Sequence, residues 1–130
     1  MSLFVADTHA LAWYFTGAAK LGSEALDVLR ASASGRGLIV VPTIVLAELM
    51  WISEKKRISL EFHELVDKIE ASQNFEVYPF DMEVLRTAER IRSIPELHDR
   101  IVVATAVLVG AKILSKDEDL RQSGIVEVVW

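Results

Sequence analysis

The chain of 130 residues has no cysteine, which excludes a disulfide framework and any thiolate metal site. It also has no long hydrophobic run. The longest, Ile101 to Val109, is far too short to span a bilayer. The opening Met1-Ser2-Leu3-Phe4-Val5-Ala6-Asp7 has no basic leader, and its apolar stretch is shorter than a signal peptide needs. There is no internal repeat, low-complexity tract, Gly-rich phosphate loop or Gly-x-Ser-x-Gly nucleophile elbow, so several common catalytic designs are absent. These absences predict a soluble, cytoplasmic protein with no membrane association. Positive charge is the minority sign: the net charge is −5 at pH 7, which argues against indiscriminate nucleic-acid binding, because phosphate contacts need Lys and Arg. The basic residues are grouped, at Lys55-Lys56-Arg57 and at Arg86, Arg90, Arg92 and Arg100. Each group reads as either a solvated helix face or a contact patch.

Apolar residues make up 52% and charged residues 25% of the chain, which is ordinary for one globular domain spanning 1–130. Short apolar runs read as buried strands at Leu3–Ala6, Leu38–Val41, Phe75–Tyr78, Lys112–Leu114 and Ile125–Val129. Between them lie helical patterns. One begins at Asp7-Thr8, one at Ser23-Glu24, and one at Thr43 behind Pro42 in a first-turn position. Another opens at Ser59, and one capped by Asp81 stops near Pro95. The last, carrying Asp99, is apolar on nearly every side and so is expected to be buried. Strands that read as continuous apolar runs and alternate with helices predict an α/β fold: three layers, α/β/α, around a central parallel sheet of about five strands.

Four acids stand out against that frame. Asp7 closes the first strand, Glu48 interrupts the apolar stretch Thr43–Trp51, Asp99 precedes the run from Ile101, and Asp117 follows the strand at Leu114. A carboxylate beside buried apolar segments is costly unless something positive compensates it. Asp7 and Asp99 also fit a helix N-terminus, where a carboxylate is favoured. Asp117 also fits an exposed turn or cap within Ser115-Lys116-Asp117-Glu118-Asp119. Capping cannot explain Glu48, which lies well inside its helix, although an exposed helix face could carry it. In an open α/β sheet the functional crevice lies at the carboxyl ends of the strands, and all four acids are expected at that edge. Together they would form an oxygen-rich site for Mg²⁺ or Mn²⁺, the ions that carboxylate ligands select over zinc. His98 beside Asp99 reads as a structural or substrate-side group, and His9 and His63 have no paired spacing typical of a metal site.

The segments Val5-Ala6-Asp7-Thr8-His9-Ala10-Leu11, Ala47-Glu48-Leu49, Leu97-His98-Asp99-Arg100-Ile101 and Leu114-Ser115-Lys116-Asp117 resemble the PIN domain family, in particular the VapC-like toxins of type II toxin–antitoxin pairs. The resemblance covers essentially the whole chain. It implies a metal-dependent endoribonuclease, with Asp7, Glu48 and Asp99 holding the cation and Asp117 completing the site. At the fourth position Glu118 and Asp119 are alternatives. Thr8 matches a supporting hydroxyl residue, Ser115 lies in the matching strand end, and Arg100 matches a phosphate or partner contact. The implied chemistry is in-line hydrolysis by water activated at the cation, with Asp117 or Asp99 orienting it. The resemblance further implies an RNA substrate, a homodimer and a cognate antitoxin packing across the site. Some of Trp13, Tyr14, Trp51 and Phe62 are therefore expected to be exposed in the lone protomer and covered by such a partner. Two other readings compete. A catalytically inactive PIN-like module would act by protein contact alone. A receiver-like phosphoacceptor domain would need an acid doublet after the first strand and an Asp ending a middle strand, and neither is present.

Overall fold

A computed structural model describes residues 2–130. Five parallel strands form one sheet: β1 (Ser2–Ala6), β2 (Gly37–Pro42), β3 (Phe75–Tyr78), β4 (Lys112–Leu114) and β5 (Val128–Val129), in the order β3-β2-β1-β4-β5. Successive side chains of a strand point to opposite faces. Ile39, Val40, Val41 and Pro42 are all buried, so both faces of the sheet are covered, and the three-layer α/β/α fold is as expected. Among the described residues seven helices provide the cover: α1 (Thr8–Thr16), α2 (Ser23–Ala33), α3 (Thr43–Glu54), α4 (Phe62–Ala71), α5 (Met82–Arg90), α6 (Leu97–Val109) and α7 (Glu118–Ser123). Six consecutive residues of α6, Ile101 through Ala106, are buried, in accord with its all-round apolar sequence. One side of α6 meets Val84 and Ala88 of α5 in a small separate cluster, and the other joins the main core. No helix among the described residues is long and apolar enough to cross a membrane.

Several boundaries differ from the sequence reading. Helix α4 opens at Glu61 rather than Ser59, because the Glu61 carboxylate accepts from the backbone N–H groups of His63 and Glu64, at 3.2 and 2.8 Å. Helix α5 ends at Arg90, well before Pro95. In the connection that follows, Ile94 is buried in the main core. Pro42 is the last residue of β2 and the N-cap of α3, not a first-turn residue. The fifth strand shrinks to Val128–Val129, because its partner β4 is itself only 3 residues long. The acidic segment after β4 carries an additional helix, α7, capped by Asp117.

Gly22 shows how closely the chain packs at one helix start. It precedes α2 and offers no side-chain cap. The carbonyl of Trp130 fills that role, accepting from the N–H groups of Glu24 and Ala25 at 3.1 and 3.2 Å. A Cβ on residue 22 would lie 2.5 Å from the Trp130 carbonyl carbon. Gly22→Ala is therefore expected to displace Trp130 and cost about 1–2 kcal/mol, the scale of a lost helix cap. Trp130 also meets the Trp13 ring edge-on at 5.7 Å, so near-UV circular dichroism of the variant should change together with the melting temperature. An unchanged spectrum and melting temperature would contradict this account.

Candidate active site

The chain adds β2 and β3 on one side of β1, then crosses to place β4 and β5 on the other. That reversal opens a crevice outside the carboxyl ends of β1 and β4, the usual ligand position in such sheets. Asp7 directly follows β1. Its N–H continues the ladder to the Leu114 carbonyl at 3.1 Å, and its carboxylate caps α1 by accepting from the Ala10 N–H at 3.0 Å. Helix α6 leads into a strand parallel to β1, so its N-terminus must lie at this same edge. Asp99 is in its first turn. Glu48 is carried there by α3, which starts as soon as β2 ends. Asp117 arrives two residues beyond Ser115. Its N–H donates to the Ser115 hydroxyl at 3.0 Å, and its carboxylate accepts from the Asp119 N–H at 2.9 Å.

All four acids line one open crevice of about 300 Å³, shared with Thr8, His9, Glu96, His98 and Lys116. Thr8 and Ser115 are buried beneath it. Of Asp117, Glu118 and Asp119, only Asp117 lines the crevice. Arg100 does not line it: its Nε donates to the Ile94 carbonyl at 2.9 Å. Among the described residues, the tightest group of candidate ligand atoms is Glu96, His98 and Asp99, whose donor atoms lie within 4.8 Å of one another. His98 joins two elements. Its Nε2 is 3.2 Å from Glu48 Oε1 and 3.4 Å from Thr8 Oγ1, and its Nδ1 is 3.9 Å from Asp99 Oδ1.

The electrostatics follow from this crowding. Burial pushes the Asp7 carboxyl above its ordinary range, with the Asp99 charge adding to the rise; the Ser115 hydroxyl, the Ala10 N–H and His9 only partly offset it. The His98 hydrogen bond pulls Asp99 down, but burial and the neighbouring acids Glu96 and Asp117 outweigh it, leaving Asp99 raised. Burial alone would lower His98, yet the carboxylates of Asp99, Glu48 and Glu96 prevail and raise it. Each of the three groups binds its proton more tightly in the folded state than in the unfolded chain. Their contribution to stability is therefore greatest at low pH and is lost as pH rises through the raised values. In EDTA the melting temperature is expected to be higher near about pH 6 than near about pH 8. A divalent cation should reverse the trend, because its ligands must be deprotonated. A metal-free protein that gained stability toward alkaline pH would contradict this assignment.

The PIN domain family model matches residues 4–125. The chain belongs to the PIN domain family. Solved structures agree in fold over nearly the full length. VapBC2 from Rickettsia felis, bound to a DNA fragment from its promoter, superposes with a TM-score of 0.72 at 15% identity, covering 98% of this chain and 97% of that one. VapC20 of Mycobacterium tuberculosis, a toxin that cleaves the sarcin–ricin loop, gives 0.70 at 21% identity over 98% of each chain. FitAcB from Neisseria gonorrhoeae gives 0.68 at 18% identity, over 98% and 96%. At such identities the likeness is one of fold. No curated protein matches by sequence.

Three crevice residues of this PIN domain escaped the sequence reading. His98 was read as structural or substrate-side, but it bridges Glu48 and Asp99. Glu96 caps α6, accepting from the N–H groups of His98 and Asp99 at 3.0 and 2.6 Å. An acid three residues ahead of Asp99, just before an apolar helix, is a legible cap signal. Lys116 was seen only as part of an exposed acidic cluster.

Proposed function

We propose that this PIN domain is a divalent-metal-dependent endoribonuclease and the toxin of a type II toxin–antitoxin pair. One observation carries the reading: four carboxylates from four separate segments line a single crevice, and among the described residues none forms an ion pair with Lys or Arg. The donor set fits a hard cation. It is mainly carboxylate oxygen, as Mg²⁺ and Mn²⁺ prefer. Its burial and mutual repulsion, which raise Asp7 and Asp99, are what a divalent charge offsets.

Asp7, Glu48, Asp99 and Asp117 would hold the ion. When bound, it supplies Lewis acidity toward the phosphate and lowers the pKa of water. The chain's own groups do the rest. His98 keeps Glu48 and Asp99 oriented from α6. Thr8 and Ser115 fix the crevice floor, and Ser115 holds the backbone of Asp117. Asp117 is assigned the proton of the attacking water, since it lines the crevice and its carboxyl lies in hydrogen-bond contact with that of Asp99.

RNA is the proposed substrate, in keeping with the similar toxin VapC20, which cleaves the sarcin–ricin loop. A cognate antitoxin is the proposed partner because a structure of similar fold from Klebsiella pneumoniae is a toxin–antitoxin complex. Trp51 is 54% exposed, which supports cover by that partner or by a second copy in a homodimer. Trp13, Tyr14 and Phe62 pack against the core. A cytoplasmic location follows from this reading. The deciding experiment incubates purified protein with single-stranded RNA in Mg²⁺ and in EDTA. Cleavage confined to Mg²⁺ is expected. No cleavage in either would leave a PIN-like binding module.

A further inference from the structure

Lys116 stands at the mouth of the crevice and, among the described residues, is the only Lys or Arg that lines it. Five carboxylates share that lining, yet Lys116 pairs with none of them. Its ammonium instead lies 4.8 Å from the centroid of the Trp13 ring. The ring is itself held in place, by Trp130 at 5.7 Å and His9 at 5.2 Å. Lys20 brings a second ammonium to within 5.7 Å of the same centroid. The backbone at Lys116 is pinned on both sides. The Ser115 N–H donates to the Val129 carbonyl at 3.1 Å, and the Asp117 N–H donates to the Ser115 hydroxyl.

The choice of partner matters physically. A carboxylate would fix the ammonium but cancel its charge. An aromatic face attracts the ammonium through its quadrupole and leaves the full positive charge available. A phosphodiester strand approaching an acid-lined crevice needs such an uncancelled cation at the rim.

We propose that Lys116 binds the phosphate next to the one being cleaved, with Trp13 as the positioning residue that holds the ammonium at the rim. This inference rests on the ribonuclease reading. Lys20, over the same ring, extends the basic rim along the strand.

The test is binding of a short labelled single-stranded RNA, followed by fluorescence anisotropy over a range of salt with Ca²⁺ replacing Mg²⁺. Lys116→Gln should weaken binding about tenfold, the scale of a lost charged hydrogen bond. It should also make the slope of log affinity against log salt shallower by about 0.7, the value for one phosphate contact on a single strand. Lys116→Arg should keep both. Trp13→Leu should shift the slope as Lys116→Gln does, and Trp13→Phe should restore it. A purely structural role for Trp13 would lower the melting temperature without moving the slope. Equal affinity and slope in wild type and Lys116→Gln, or no binding by the wild type, would overturn the proposal. Cleavage in Mg²⁺ is measured in parallel. Cleavage with an unaffected Lys116→Gln sinks this inference alone. Binding that depends on Lys116 without any cleavage sinks the ribonuclease reading and keeps the phosphate contact.

Discussion

Cleavage of single-stranded RNA in Mg²⁺ is expected to fall by about a hundredfold or more in Asp99→Ala, the loss of several kcal/mol that follows removal of a carboxylate from a metal-dependent site. Asp99 sits in the tightest cluster of candidate ligand atoms, beside Glu96 and His98, and feels both Asp7 and Asp117. The substitution leaves α6 capped, because the cap acceptor is the Glu96 carboxylate and the Asp99 donor is a backbone N–H. Loss of activity with an unchanged melting temperature would therefore report chemistry and not unfolding. Asp117→Ala should be similarly severe. Asp119→Ala should stay near wild type, since Asp119 is exposed and only its backbone meets Asp117. Each variant is assayed on one labelled RNA, with EDTA controls. Cleavage that persists unchanged in Asp99→Ala would indicate a contaminating nuclease or a site elsewhere.

The second large effect is thermal. At a Mn²⁺ concentration about a hundred times its dissociation constant, native-state binding stabilises by about 2.7 kcal/mol. For a chain of this size that corresponds to a rise in melting temperature on the order of 10 °C. Asp7→Asn separates the two roles of Asp7. Asn caps a helix as well as Asp, so the bond from the Ala10 N–H is retained. The variant removes a carboxyl that burial already disfavours. In EDTA it should melt at or above the wild-type temperature, and the rise on adding Mn²⁺ should largely vanish. A full Mn²⁺ shift in Asp7→Asn would show that the ion binds without Asp7.

The fold was legible because its strands are buried on both faces. Val40 and Val41 must both be apolar for that reason, and such runs are hard to mistake. The edge acids were legible for a related reason, since topology alone sends Asp7, Asp99 and Asp117 to the carboxyl ends of β1 and β4. Their partners were not. Whether His98 meets Glu48 depends on how α3 and α6 pack, and no local pattern encodes that. Helix boundaries failed where side chains competed for the same backbone donors. Ser59 is the better cap by type, but Glu61 makes the bonds. Asp117 was read as a turn or cap, and it caps α7 while also facing the crevice.

The sheet order has a consequence for synthesis on the ribosome. Asp7 and Glu48 emerge early, but β1 gains its second neighbour only when β4 does, through the pairings of Val5 with Ile113 and Ala6 with Leu114. Before β4 has left the exit tunnel, α6 can already pack on β1 and α3, but no strand places the Asp117 turn beside Asp7. A partial chain thus lacks the Asp117 wall of the crevice. Closing this long loop is a late, slow step. The complete crevice therefore forms only after residue 117 has emerged.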